Sequence, residues 1–148
     1  MHRKVYIMKL FHHYLIQLYN LHKKKNLSYF ASLGLTQGQP KVIEILYRNN
    51  GCSQKFLADA CELQKATITS LLKKMESDNF IYRQKDVMEN GIRITKVFLT
   101  DKGMDLASKV IDSVIDVENK CFENFTAEEK ALCFEYLERI YINLKNMD

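Results

Sequence analysis

Apolar side chains recur at helical spacing at the start of the chain. Val5, Met8, Phe11, Leu15, Leu18 and His22 form one series, and Ile7, Leu10, Tyr14, Leu18 and Leu21 form a second. Together they predict a helix over 4–25 whose apolar face is wider than one core contact needs, so it meets two partners. Lys23, Lys24 and Lys25 then fall where a helix C-terminus favours cations, and residues 26–36 read as a linker turning at Gly34. A second helix is expected from about Gln37 to Arg48, with Pro40 in its first turn, a stripe of Val42, Ile43, Leu46 and Tyr47, and a stop at Asn49-Asn50-Gly51. Ser53 is placed as the cap of a short helix ending near Cys61, with Phe56, Leu57 and Ala60 facing inward. Glu62-Leu63-Gln64 makes a turn, and a further helix runs from about Lys65 to Asp78 on Ile68, Leu71, Leu72 and Met75. Spacing then changes. Residues 80–85 and 94–99 are short β-branched and aromatic runs, and Asn90-Gly91 between them is a hairpin signal in a loop, Asp86–Arg93, longer than a tight turn. Thr100 caps a helix to about Glu123 bearing Met104, Ala107, Ile111, Val114, Ile115 and Phe122. Thr126 and Glu129 form a capping box. It opens a last helix to about Asn146, striped by Leu132, Tyr136, Leu137, Ile140 and Leu144.

A chain of 148 residues with 47% hydrophobic and 27% charged residues and one proline is expected to form a single folded, helix-rich domain, and not a disordered one. The net charge of +4 is a weak pointer to an anionic partner. Its distribution says more: Lys55, Lys65, Lys73, Lys74, Arg83, Lys85, Arg93 and Lys96 crowd the middle, whereas acids outnumber bases after Thr126. Cys52, Cys61, Cys121 and Cys133 form no C-x-x-C pair, no signal peptide is read, and no apolar run reaches membrane length. A cytoplasmic protein with reduced, mostly packed cysteines and no membrane partner is therefore expected.

Helix, turn, helix and basic hairpin in this order make residues 53–100 a winged helix-turn-helix, a reading head for duplex DNA. The major groove admits one α-helix and displays a distinguishable pattern of donors and acceptors. With Ile68, Leu71, Leu72 and Met75 inward, the opposite face presents Gln64, Lys65, Ala66, Thr67, Thr69, Ser70, Lys73 and Lys74. The N-terminal end of such a helix points into the groove. Gln64, Lys65, Ala66 and Thr67 are therefore candidate base readers, and Thr69, Ser70, Lys73 and Lys74 candidate phosphate contacts. Arg93 is positioned to enter the adjacent minor groove. Ser53, Gln54 and Arg83 complete the candidate DNA-binding set. A solvated helix face is the plain alternative for each lysine, and Thr67 and Thr69 can instead bond back to helix carbonyls.

These residues resemble the multiple-antibiotic-resistance regulator (MarR) family of bacterial transcription factors along nearly the whole chain, most specifically over 35–103. "GLTQGQPKVIEIL" resembles the family's helix-two opening. "CSQKFLADACELQKATITSLLKKMESDNFIYRQ" resembles its pattern of small polar residue, "LA", "TIT" and "L…ME…G.I.R", and "R…VFLTDKG" resembles the end of its wing. Two positions depart. Gly91 stands where the family often has an Asp that pins the wing arginine, leaving Arg93 to be held from Asp86 or Glu89. Asn79 replaces a common glycine, and asparagine also tolerates a left-handed backbone. The resemblance implies a mainly α fold with a small β-wing: a winged helix-turn-helix lobe at about 36–100, with helical dimerisation regions at 1–35 and 101–148. It further implies a homodimer on a near-palindromic operator. It implies repression relieved by a ligand held between the dimer helices and the reading head. His12, His13, Tyr14, Tyr19, Tyr29 and Phe30 are the candidate lining, suited to a phenolic or other planar effector, although such residues are more often ordinary core or dimer-interface packing.

Other chemistry finds little support. No histidine has a carboxylate or cysteine at ligand spacing, so no metal or other cofactor is expected. No cysteine precedes Cys52, where peroxide-sensing relatives carry theirs. No nucleophile elbow, phosphate loop or H-E-x-x-H is present, so an enzyme is not expected. The alternatives are a redox- or metal-responsive regulator of the same fold, and a winged-helix module that binds protein instead of DNA.

Overall fold

The computed structural model describes residues 10–147. The expected helix positions Val5, Ile7 and Met8 lie outside them. In chain order the elements are α1 (Phe11–Ser32), α2 (Gln39–Arg48), α3 (Gln54–Cys61), α4 (Lys65–Ser77), β1 (Ile81–Val87), β2 (Arg93–Leu99), α5 (Asp101–Cys121) and α6 (Ala127–Lys145). This is a mainly helical fold with a two-stranded antiparallel wing. One compact unit ends at Val114 and a second begins at Ile115, within α5.

The core belongs to the first unit. Val42, Ile43 and Leu46 of α2, Leu57 of α3, Ile68, Leu72 and Met75 of α4, and Val97 of β2 are wholly buried, and Leu106, Ala107 and Val110 of α5 join them. Three expected inward residues do not go in: Tyr47 and Phe56 are each 44% exposed and Ala60 is exposed. Cys61 and the amide of Gln39 are buried instead. An eight-residue helix has room for one buried stripe, and Leu57 with Cys61 at i, i+4 takes it.

α1 is longer at its C-terminal end than expected. Residues 26–32, expected as linker, remain helical because this end of the helix has something to bury against. Asn26 accepts a hydrogen bond from Ser113 of α5 (2.8 Å) and is itself buried, while Phe30 and Leu33 pack on the core. The helix stops at Gly34 (φ 78°), with Leu35 N–H donating back to Phe30 O (3.0 Å). Lys23–Lys25 consequently lie within the helix, away from the C-terminal dipole where they were expected.

The hairpin register pairs Ile81 with Leu99 and Arg83 with Val97 on the core face, and Tyr82 with Phe98 on the other, their rings stacked at 5.1 Å. Gly51 is required beneath Phe98. Its φ is 85°, and a Cβ there would stand 2.5 Å from the ring. The strands run further than expected, to Val87 and from Arg93, so the loop shortens to residues 88–92, still longer than a two-residue tight turn.

In the second unit Thr126 Oγ1 accepts from Glu129 N–H (3.1 Å) and Glu129 Oε2 accepts from Thr126 N–H (2.8 Å), which is the expected capping box. Lys130 lies over the Phe122 and Phe134 rings and pairs with Glu118 (2.6 Å). α6 buries no residue. Leu132, Tyr136, Leu137 and Leu144 remain about half exposed. No helix among the described residues is long and apolar enough to cross a membrane.

Candidate nucleic-acid interface

α4 owes its presentation to its two neighbours in sequence. Ser53 Oγ caps α3 by accepting Phe56 N–H (3.1 Å). Glu62 then turns the chain with a left-handed backbone (φ 54°), and Lys41 Nζ reaches across to donate to Cys61 O (3.1 Å) at the α3 C-terminus. This fixes α3 under α4, whose buried residues Ile68, Leu72 and Met75 point inward. Leu71, expected fully inside, is half-buried against Gly38. Gln64, Lys65, Ala66, Thr67, Thr69, Ser70, Lys73 and Lys74 are all exposed, as the spacing required.

α4 stands as a ridge with a cleft on one side and a shallow depression on the other. On one side a cleft of about 730 Å³ runs between α3, the turn and the wing; Ser53, Gln54, Lys55, Gln64, Lys65 and Arg93 are among its lining. Its charged groups are three cations, Lys55, Lys65 and Arg93, against one carboxylate, Asp59. On the other side a shallow, open depression is lined by Thr36, Ala66, Thr67, Ser70, Leu71 and Lys74. An exposed ridge one helix wide is the shape that lets a helix enter the major groove. Lys55 and Thr36 were absent from the candidate set. The signal for Lys55 lay in its place at the exposed start of the supporting helix; Thr36 had none, because only folding brings residue 36 beside residue 70.

The polar side chains are not equivalent. Thr69 Oγ1 donates to Lys65 O (2.7 Å) and accepts from Gln54 Nε2 (2.8 Å), so this threonine bonds back to its own helix and ties it to α3. Lys74 pairs with Asp78 (2.8 Å). Arg83 is taken by Glu76, its Nε donating at 3.1 Å, and the guanidinium holds the Glu76 carboxyl below the ordinary carboxylate range. Asp86 pairs with Lys96 (2.6 Å) and accepts Val87 N–H (2.8 Å), which lowers its pKa as well. Asp86 therefore does not hold Arg93, nor does Glu89. Among the described residues Lys55, Lys65, Lys73, Lys85 and Arg93 of this lobe have no ion pair, which leaves them available to phosphate.

The candidate effector residues are all on α1. His12 and His13 are in ring contact (4.6 Å), His13 Nδ1 accepts Leu10 N–H (3.3 Å), and Tyr29 lies near Phe30 (6.2 Å). Tyr14 and Tyr19 are half exposed or more. His12 and Phe30 are about 27 Å apart along the helix at 1.5 Å per residue, so the six do not surround one small-molecule cavity. Burial pushes the Cys52 and Cys61 thiols up, away from the thiolate that redox sensing needs. Among the described residues no three His, Cys, Asp or Glu side chains are grouped to hold a metal ion.

The MarR family model matches residues 35–88, which covers this ridge, its support and the first strand of the wing. The chain is 30% identical over 125 residues to the HTH-type transcriptional regulator SarZ of Staphylococcus epidermidis, covering 84% of this chain and 80% of that protein. It is 27% identical over 134 residues to the HTH-type transcriptional repressor YetL of Bacillus subtilis, covering 87% and 79%. Its fold matches that of MepR in the S. aureus MepR–DNA complex with a TM-score of 0.81 over 91% of this chain and 96% of that one, at 20% identity.

Proposed function

The chain belongs to the MarR family, and on that premise we propose that it is a transcriptional regulator, working as a homodimeric repressor that reads a near-palindromic duplex and is released by a small-molecule effector. The observation that carries the reading is the exposed α4 ridge beside the cationic wing-side cleft, with Lys65 and Arg93 free of ion pairs among the described residues. Gln64, Lys65, Ala66 and Thr67 enter the major groove and meet base edges. Lys73, Lys55 and Arg93 neutralise phosphates. Ala66 and the Thr67 methyl offer apolar contact to thymine methyls. The repressor assignment draws on YetL, and DNA as partner draws on the MepR complex.

Two apolar faces support the dimer. α1 exposes Phe11, Leu15, Leu18 and Leu21, with Leu10 just before it, and α6 exposes Leu132, Tyr136, Leu137 and Leu144. Surfaces of this kind mark contact with another protein, and a two-fold pair sets its reading helices about one helical turn apart. Light scattering at micromolar concentration should give twice the chain mass. Effector release rests on the family resemblance and calls for a metabolite screen against the bound duplex.

The test is selection of duplexes from a randomised pool, followed by the same selection with Lys65→Ala and Thr67→Ala. Each variant should relax preference at one or two positions, costing about 1–3 kcal/mol for the preferred duplex. Unchanged preference in both variants refutes the base-reading assignment. If the wild-type protein retains no duplex even in dilute buffer, the DNA-reading function itself falls, and the protein-binding alternative takes its place.

A further inference from the structure

The tip of the wing is apolar. Val87 is 60% exposed, Met88 47% and Ile92 55%, and they share one hairpin apex. Single exposed hydrophobic residues are common, whereas a cluster at a projecting tip marks a surface that something else covers. We propose that Met88 and Ile92 form an apolar wedge that enters the minor groove next to the bases read by α4, parts one base-pair step and bends the duplex there. The proposal rests on the DNA-reading function above.

Register puts the two side chains together. Val87 pairs with Arg93, and Met88 N–H donates to Ile92 O at 2.8 Å, so the ladder continues by one pair and Met88 stands beside Ile92 on one face. The tip is braced. Gly91 N–H donates to Met88 O (2.8 Å) and Ile92 N–H donates to Asn90 Oδ1 (3.1 Å). A wedge needs this stiffness, because a loose loop would lose in ordering what it gained in contact.

Charge supplies the occupant. Arg93 has no ion pair among the described residues and follows directly on Ile92, Lys85 lies on the same strand pair, and the Asp86 carboxylate is neutralised by Lys96. The apolar tip is thus rooted in a cationic base continuous with the cleft beside α4, which Ile92 and Arg93 both line. A polyanion with an apolar, stacked interior fits that combination. Apolar wedges of this type unstack a step and kink the duplex by about 20–90°. Glu89 is the remaining carboxylate of the tip and opposes approach to phosphate; Glu89→Gln should tighten binding.

The experiment uses the full chain and a duplex of about 30 base pairs recovered by the wild-type protein from a randomised pool, a length on which bending is resolved. Energy transfer between end labels reads the bend, and permanganate reactivity of thymines reads unstacking. The wild type should shorten the end-to-end distance and expose thymines at a step flanking the selected bases. Met88→Ser with Ile92→Ser should abolish both signals and weaken binding roughly 10- to 30-fold, the loss expected from half-burying two such side chains. It should leave the log–log salt slope unaltered, since apolar contacts release no counterions. Arg93→Ala should do the reverse, lowering the slope. Both serines are at exposed positions, and an unchanged unfolding temperature confirms the variant is folded. A duplex bound straight by the wild type, or bent equally by the double variant, overturns the wedge while leaving the DNA-reading function standing. Failure to retain any duplex overturns both. Loss of dimer mass or of self-association in the double variant, with bending intact, assigns the tip to a second copy of the chain and overturns the wedge.

Discussion

Gly103→Ala tests how α5 holds the root of the wing. Gly103 is buried in the first turn of α5, and a Cβ there would lie 1.9 Å from Phe80 O, 2.9 Å from Phe80 C and 3.2 Å from Leu99 Cδ2. Real Cβ contacts stay beyond about 3.0 Å, so the helix or the Phe80 carbonyl must move by at least about 1 Å. That carbonyl is not free to move, because it accepts Thr100 N–H (3.1 Å) and Lys102 Nζ sits over the Phe80 ring (4.8 Å). Forcing one carbon into a packed site costs about 1–3 kcal/mol, here at the upper end, and a strained backbone hydrogen bond adds about 1 kcal/mol. Alanine returns about 1 kcal/mol of helix propensity. The net expectation is about 2–3 kcal/mol of destabilisation, or a fall of roughly 5–10 °C in unfolding temperature for a chain of this size. Calorimetry at fixed protein concentration measures it, with Asp105→Ala on the exposed side of the same turn as control, expected within about 0.5 kcal/mol of wild type. Amide exchange should also quicken across Ile81–Val87. An unfolding temperature equal to or above that of the wild type refutes the steric argument, because helix propensity would then have outweighed the clash.

Three further outcomes follow from the same contacts. The Glu76 carboxyl is lowered by Arg83, so its stabilising contribution is full above the ordinary glutamate range and lost as pH falls through the lower folded value; the stability gap between wild type and Glu76→Gln should therefore close on acidification, and a gap that widens in acid denaturation would contradict it. Thr126→Ala removes one arm of the capping box and should cost about 1 kcal/mol, read by denaturant titration; no change means the box is idle. Arg93→Ala should lower the log–log salt slope of duplex binding by about 1; a slope equal to that of the wild type excludes a phosphate contact from the wing.

Local rules carried most of the architecture. Ser53, Thr100 and Thr126 were legible as caps because capping depends on a side chain and an N–H three residues on. The exposed face of α4 followed from the spacing of Ile68, Leu72 and Met75, and the hairpin from Asn90-Gly91 between β-branched runs. What needed the tertiary structure were relations between residues distant in sequence. Nothing in "LSYFASL" distinguishes linker from helix until Asn26 meets Ser113. Eight helical residues around Phe56, Leu57 and Ala60 present more apolar surface than one neighbour can cover, and the fold selects Leu57 with Cys61. Availability of the cations was likewise undecidable: Lys73 and Lys74 are adjacent, yet only Lys74 finds Asp78, while Arg83 is claimed by Glu76 and Arg93 has no ion pair among the described residues. Periodicity and capping are properties of neighbouring residues, so the amino-acid order determined them. Burial of a particular side chain and the pairing of a particular charge are set by what competes for the same space, and that competition exists only once the chain has closed on itself.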